Sequence, residues 1–383
     1  MRANEFLKEA EAAATKKLGR AFNHLEDLVF FHGSAGTLEA LDHIREIASE
    51  AGSKTVRMKW DGNPQIYWGR ETKGGPLVLA GHNGWSKGYK TDNPADLVDF
   101  ISNKSGNPKT PEEKAARDQF AKQFASLYPL FDAGTPKDFQ GYVYADGLFL
   151  AKPNIDAEGV YTFCPNPKSQ TCYHVTADSP LGKRIAQAQV MVVGHAFFPK
   201  FGMDDSDQEP MDDFSMFNKN PALIVQGPVY NSTPVKVGNE SIVAIETYLQ
   251  KHAAEIDSFL QGAPGLGDLK NILYTYVNQT AKSKQLDQLG VPQFFSWLKT
   301  SKVSTNKQTK IEELAQRSQH ALAAIFGLVK QIMDVKDNII DQIEQGEKGE
   351  IWDTQGEGRV RYAPAGKQYG NVKLVPRKRW TPQ

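Results

Sequence analysis

The chain has 383 residues, enough for two or three domains at ~150 residues each and for a large buried core. Lys plus Arg (45) equals Asp plus Glu (45), so the net charge is zero, which excludes a polybasic binder relying on bulk charge. The 2 cysteines cannot build a disulfide framework and point to no oxidising compartment. No apolar run approaches the ~18 residues of a membrane span. The first residues carry acids and no continuous apolar segment, so they read as an amphipathic helix from about residue 4 rather than a secretory leader. A cytoplasmic protein without membrane attachment is expected (host cytoplasm if the source is viral).

Thr37 is placed to cap a helix ending near residue 50, with Leu38, Leu41, Ile44 and Ile47 as its apolar stripe. Two strands, 55–60 and 65–70, flank Asp61-Gly62-Asn63-Pro64, a dense turn signal, and 76–80 is a third strand. Thr110, Pro111 and Glu113 supply the cap, the first-turn proline and the capping-box acid of a second helix. Segments 140–151 and 189–198 read as strands, and the acidic stretch 203–213 as an exposed loop. Segments 241–260, 268–280, 292–300 and 310–345 are helical by period and composition. The sequence then returns to basic, strand-like texture. The simplest division is a mixed α+β body over 1–238, a helical insertion over 239–346, and C-terminal strands over 347–383 completing the body.

Lys59 closes a predicted strand immediately before Asp61-Gly62, so its amine is held by rigid backbone while the glycine admits close approach. A lysine among other cations and partly desolvated loses pKa and becomes a usable nucleophile for a nucleotide α-phosphate. Glu357-Gly358-Arg359-Val360 and Val372-Lys373-Leu374 add a metal-binding carboxylate and a phosphate-neutralising cation. Nucleotidyl transfer needs those three roles. An isolated K-x-D-G is also an ordinary hairpin turn, and a basic tail is also an ordinary solvated end.

Lys59-x-Asp61-Gly62, Asp146-Gly147, Glu357-Gly358-x-Val360 and Val372-Lys373-Leu374 occur in the order of motifs I, III, IV and V of the covalent nucleotidyltransferases. The sequence resembles that superfamily: ATP-dependent DNA and RNA ligases and mRNA capping enzymes. His82-Asn83-Gly84 is similar to the short motif that follows the nucleophile in ligases, and the strand holding His195, Phe197 and Phe198 to motif IIIa, whose aromatic stacks on the purine. The resemblance implies an ATP-grasp-like ligase core of antiparallel sheets with helices, plus a helical accessory domain. It implies Lys59 as the AMP acceptor, Lys373 on the α-phosphate, and Glu357 and Asp146 on Mg2+ or Mn2+. Asp61, Gly62, Arg70, His82, Asp146 and Phe198 would line the ATP site.

The resemblance also implies a nucleic-acid partner, RNA before DNA, because Pro64 stands where DNA ligases carry arginine. Leu148 stands where motif III has an acid, and Val375 where motif V has a second lysine, a role Arg377 or Lys378 could take. Too little chain follows Lys373 for an appended OB-fold, so a core acting without one, as a monomer, is expected. A capping-type or protein-modifying transferase, or a non-catalytic nucleotide- or nucleic-acid-binding relative, is the alternative. GAPGLG at 262–267 lacks a preceding strand and reads as a linker, and Cys164, Cys172 and His174 lack zinc-knuckle spacing.

Overall fold

The computed structural model describes residues 23–49, 56–58, 60, 62–166, 171–204, 207–227, 229, 233–262, 266–283, 285–318, 320–346, 351–353, 360–362, 372–374 and 377. Strand β1 (Asn23–His24) and a 3-10 turn (Leu25–Asp27) lead into helix α1 (Leu28–Ala48). Then come β2 (Val56–Met58), β3 (Gln65–Arg70) and β4 (Leu77–Gly81). Helices α2 (His82–Ser86), α3 (Pro94–Asp99), α4 (Pro111–Ser126) and α5 (Tyr128–Gly134) precede β5 (Gly141–Phe149). Strands β6 (Val160–Asn166) and β7 (Thr171–Thr176) are followed by α6 (Pro180–Ile185), β8 (Val190–Phe198), β9 (Glu209–Pro210) and β10 (Leu223–Gln226). The helical stretch is α7 (Asn239–Gln261), α8 (Leu269–Lys282), α9 (Val291–Thr300), α10 (Thr305–Arg317) and α11 (Ala321–Gly346). Strands β11 (Ile351–Asp353), β12 (Val360–Tyr362) and β13 (Val372–Leu374) complete the described elements.

Periodicity located most of these elements, and local chemistry explains the exceptions. Thr110 caps α4 as expected, its hydroxyl accepting from the Glu113 N–H at 3.2 Å. Thr37 caps nothing, because α1 already begins at Leu28 and kinks at Gly33 (φ 63°, ψ −132°). The cap comes instead from α7: Asp257 accepts from the Ser34 N–H at 2.7 Å, while Thr37 donates back to the Gly33 carbonyl at 3.1 Å. A Cβ at Gly33 would lie 2.3 Å from Asp257 Oδ1, so the kink needs glycine for both space and positive φ. The single helix expected over 310–345 is two, and the helix expected near residue 4 lies outside the described residues.

The chain divides into two units, Met1–Lys59 with Tyr230–Gly346 and Glu357–Gln383, and Trp60–Val229 with Glu347–Gly356. The helical stretch is therefore not an insertion standing apart from a body at 1–238. Its apolar stripes need a partner surface, and α1 supplies it: Leu41, Ile44 and Ile47 share one buried core with Ile245, Leu273, Ile325 and Ile339. In the same unit β1, β13, β12 and β2 form a four-stranded sheet in that order. β12 runs antiparallel to both β2 and β13, while β1 and β13 are parallel. Val56 and Leu374 carry this sheet into the helical core.

A charge cluster is sealed inside this unit. Lys336 donates to both oxygens of Glu26 at 2.7 Å, and Arg377 reaches Glu26 at 2.6 Å, Asp27 at 2.7 Å and Asn278 at 2.8 Å. All four charged side chains are fully buried. Burial opposes ionisation of Glu26, yet Lys336 and Arg377 outweigh it and hold the carboxyl below its ordinary value. Asp27, buried beside the Glu26 charge, is pushed upward despite Arg377. Arg377 thus does not replace the second motif V lysine; its guanidinium is committed here.

The second unit is built on a mixed sheet with strand order β10-β8-β5-β3-β4, and β9 added on β8. The β10–β8 pair is parallel, so the sheets are not wholly antiparallel as expected. One face, with Ile66, Trp68, Val143 and Val192, packs on Leu97, Phe124 and Phe131 of α3–α5. The other carries Tyr67, Trp85, Tyr142 and Phe198. β11, β7 and β6 form a separate three-stranded sheet. Contrary to the cysteine reading, Cys164 and Cys172 are joined, because pairing of Phe163 with Tyr173 sets their Cα atoms 4.2 Å apart. Among the described residues no helix is long and apolar enough to cross a membrane.

Glu26→Gln strands buried cations and should cost ~3–5 kcal/mol in urea denaturation. Lys307→Gln removes an exposed pair with Asp268 (2.6 Å) and should cost under ~1 kcal/mol.

Candidate functional site

Register builds a polar chain on the second unit's sheet. Gln65 lies opposite Asp146, and Tyr67 opposite Tyr144. Gln65 Nε2 donates to Tyr144 Oη at 3.0 Å, Tyr144 Oη donates to Asp146 Oδ1 at 3.3 Å, and Asp146 Oδ2 meets His195 Nε2 at 3.0 Å. His195 reaches this position through a bulge: Tyr144 pairs with Ala196 and Ala145 with Gly194, leaving His195 as the extra residue. A bulge re-aims one side chain without moving the rest of the strand. Burial, then the Asp146 charge, drives the Tyr144 phenol far above its ordinary value, so it stays a neutral donor.

The turn after the proposed nucleophile locks onto the same strand. The Asn63 N–H donates to the Gly147 carbonyl at 2.8 Å, and the Gly147 N–H returns to the Pro64 carbonyl at 2.8 Å across a cis Asn63-Pro64 bond. Gly62 is needed for clearance, since a Cβ there would sit 2.7 Å from both Asp146 Cβ and the Gly147 oxygen. The Asp-Gly pairs of motifs I and III, distant in sequence, thus meet through Gly62. Just before the turn, Trp60 is buried with its ring 4.9 Å from Tyr173. Leu148, where motif III has an acid, is the extra residue of a second bulge and is buried.

In the first unit the strands next to or within the segments that resemble motifs I, IV and V are neighbours. Met58, immediately before Lys59, pairs with Val360, which pairs in turn with Leu374 beside Lys373. Lys373 lies opposite Arg361 on one side and His24 on the other. Lys59, Asp61 and Glu357 themselves lie outside the described residues.

Other expected site residues are placed elsewhere. Arg70 is at the far end of β3 from Gln65, fully buried, and bound to Asp132 at 2.6 Å and the Gly75 carbonyl at 2.7 Å. It is a structural cation, because burial demands that its donors be satisfied inside the fold. Phe198 is fully buried against Tyr67 and Trp85, which leaves it no face for a purine. His82 opens α2 and is exposed. Asp146 is held by an imidazole and a phenol rather than by further carboxylates, and no metal-binding group occurs among the described residues. Gln65, Tyr144 and His195 escaped notice as a set; alternation along β3 and β5 could have shown the first two, but no local signal marks the bulge.

A family model described as a family of unknown function (DUF6267) matches residues 20–77 and 134–381, and the chain belongs to that family. The match includes Glu357 and the strands carrying Asp146, His195 and Lys373, and leaves out the helical excursion that starts within β4 and contains His82. No curated protein and no solved structure matches the chain.

The crowding at Gly62 is testable. Gly62→Ala should lower stability by ~1–3 kcal/mol in urea denaturation, because backbone and a strand Cβ cannot yield cheaply. A Cβ at Gly74 would meet no atom within 4 Å. Gly74→Ala should therefore cost ~1 kcal/mol, from its positive φ alone.

Proposed function

We propose that this protein is an ATP-dependent, metal-requiring nucleotidyltransferase of the polynucleotide-ligase type, acting on RNA before DNA. One observation carries the reading: β2, β12 and β13, from opposite ends of the chain, are adjacent strands of one sheet, with Met58, Val360 and Leu374 in a single register row. That pairing draws together the segments that lead to Lys59, follow Glu357 and contain Lys373. Transfer of a nucleotide requires a nucleophile, a carboxylate and a cation, and the segments adjoining or containing these three residues are neighbours in the sheet.

In this reading the Lys59 amine attacks the α-phosphorus of ATP. A phosphorus–nitrogen bond forms, the bond to the β-phosphate oxygen breaks, pyrophosphate departs and the amine loses a proton. AMP then passes to a 5′-phosphate and is released when a 3′-hydroxyl attacks. Lys373 would hold the α-phosphate. Glu357 would hold the divalent cation, which supplies charge neutralisation at the phosphates. Asp146, engaged by Tyr144 and His195, is better suited to fixing the Gly62 turn than to binding metal. The mixed α+β fold is compatible with a nucleotidyltransferase core.

The buried Leu148, in place of an acid, favours a second reading: a relative that binds nucleotide without turnover. Incubation with α-labelled ATP or GTP and Mg2+ or Mn2+ separates the two. Wild type should acquire a covalent label from ATP, and Lys59→Ala should acquire none. Binding of ATP without label would support the non-catalytic relative, and preference for GTP a capping-type enzyme. On nicked substrates, RNA should be sealed faster than DNA.

A further inference from the structure

Strands β6 and β7 of the second unit carry both cysteines of the chain on one face of their hairpin. Tyr161, Phe163, Tyr173 and Val175 are buried, whereas Thr162 and Cys164 between them are exposed and Cys172 and His174 half-buried. The regular ladder runs from Val160 opposite Thr176 to Phe163 opposite Tyr173. The Cys164–Cys172 bond lies just past its end, where the register shifts. Ladder and buried side chains already bring the two strands together there. A bond across a separation of 8 residues adds only a modest constraint to a loop so closed. Exposed disulfides of this kind are the labile ones, open to exchange, rather than sealed structural staples.

The residues flanking the bond lead inward. Phe163, next to Cys164, has its ring 5.4 Å from Phe149 and 5.7 Å from Tyr173. Tyr173, next to Cys172, has its ring 4.9 Å from Trp60. Trp60 is buried, yet its indole N–H has no hydrogen-bond partner, so packing rather than a polar contact fixes the ring. We propose that Cys164–Cys172 is a reversible thiol–disulfide exchange site whose substrate is a dithiol, and that its state sets the packing of Tyr173 on Trp60. A thiolate of the dithiol attacks Sγ of the exposed Cys164, the S–S bond breaks, and Cys172 leaves as a thiolate that takes up a proton. The second thiol of the reductant, losing its proton, then attacks the reductant sulfur bonded to Cys164 and releases Cys164 as a thiol. Two electrons and two protons have passed to the protein, and the dithiol has become a disulfide. This site does not rest on the transfer reading, although Trp60 directly follows Lys59 in the chain.

Titration of the full chain with dithiothreitol in native buffer, read by maleimide mass tagging and tryptophan emission, tests this. Both cysteines should become taggable without denaturant and with the far-ultraviolet circular dichroism unchanged. Emission should shift to the red as Tyr173 loosens from Trp60 and water reaches the indole. Glutathione disulfide should reverse both changes. Cys164→Ser should emit like reduced wild type and ignore the reductant, whereas Trp60→Phe should gain the two tags without the emission shift. The Cys164→Ser comparison decides the coupling independently of how well Trp60→Phe folds. The inference is overturned if the cysteines become taggable only in urea, if reduction unfolds the chain, or if glutathione disulfide fails to rejoin them. Unchanged emission on reduction of wild type, or a shift that persists in Trp60→Phe, would overturn it equally.

Discussion

Four charges closed off from water hold the first unit together. Glu26 and Asp27 lie just after β1, Lys336 in the longest helix, and Arg377 just beyond β13. A buried charge without its partner is far costlier than an exposed one, so the cluster tolerates only arrangements in which all contacts form. That requirement sets where the last strands go. β13 can lie beside β1 only with Arg377 seated between the two carboxylates and Asn278. The helical core supplies most of the hydrophobic stabilisation, but apolar contact is non-directional and tolerates sliding. A cluster of fixed hydrogen bonds does not. The register of the four-stranded sheet is therefore governed by buried charges just outside its strands.

The second unit solves a different problem with its single large sheet. One face is closed by helices and is apolar throughout. The opposite face begins as a stack of aromatic rings, with Tyr67 between Trp85 and Tyr144, and ends in the hydrogen-bonded chain from Gln65 to His195. Tyr144 belongs to both: its ring stacks on Tyr67 at 5.0 Å and its hydroxyl bridges Gln65 and Asp146. The change from apolar to polar along one face needs only the two-residue period of the strands, plus one bulge to bring His195 inward. Gly62 and Gly147 then let the neighbouring turn close on the polar end without a side chain intervening.

What could be read beforehand follows the range of the interaction that fixes each feature. Amphipathic period placed α7, α8 and α9 within a few residues, and Thr110-Pro111 marked the start of α4, because those signals are local. The acceptor at the Gly33 kink of α1 is Asp257 rather than Thr37, and no local signal shows it because Asp257 is far along the chain. Glu26 and Asp27 look like ordinary surface acids until Lys336 and Arg377 are brought to them. The Cys164–Cys172 pair depends on the register of β6 against β7, which two cysteines eight residues apart do not reveal. At the candidate site, Asp146-Gly147 on a strand is legible as a short pattern. The partners of Asp146 are not, since strand register and a bulge decide them. Arg70 and Phe198 differ from expectation for one reason: residue type says what a side chain can do, whereas burial decides what it is free to do.

The charge cluster and the four-stranded sheet of the first unit are joined at β1 and β13. Next to those strands, Glu26, Asp27, Lys336 and Arg377 sum to zero and satisfy one another inside the protein. β13 pairs with β1 on one side and with β12 on the other, and β12 pairs in turn with β2. Seating Arg377 on Glu26 and Asp27 therefore fixes β13, and β13 fixes the order of the strands beyond it.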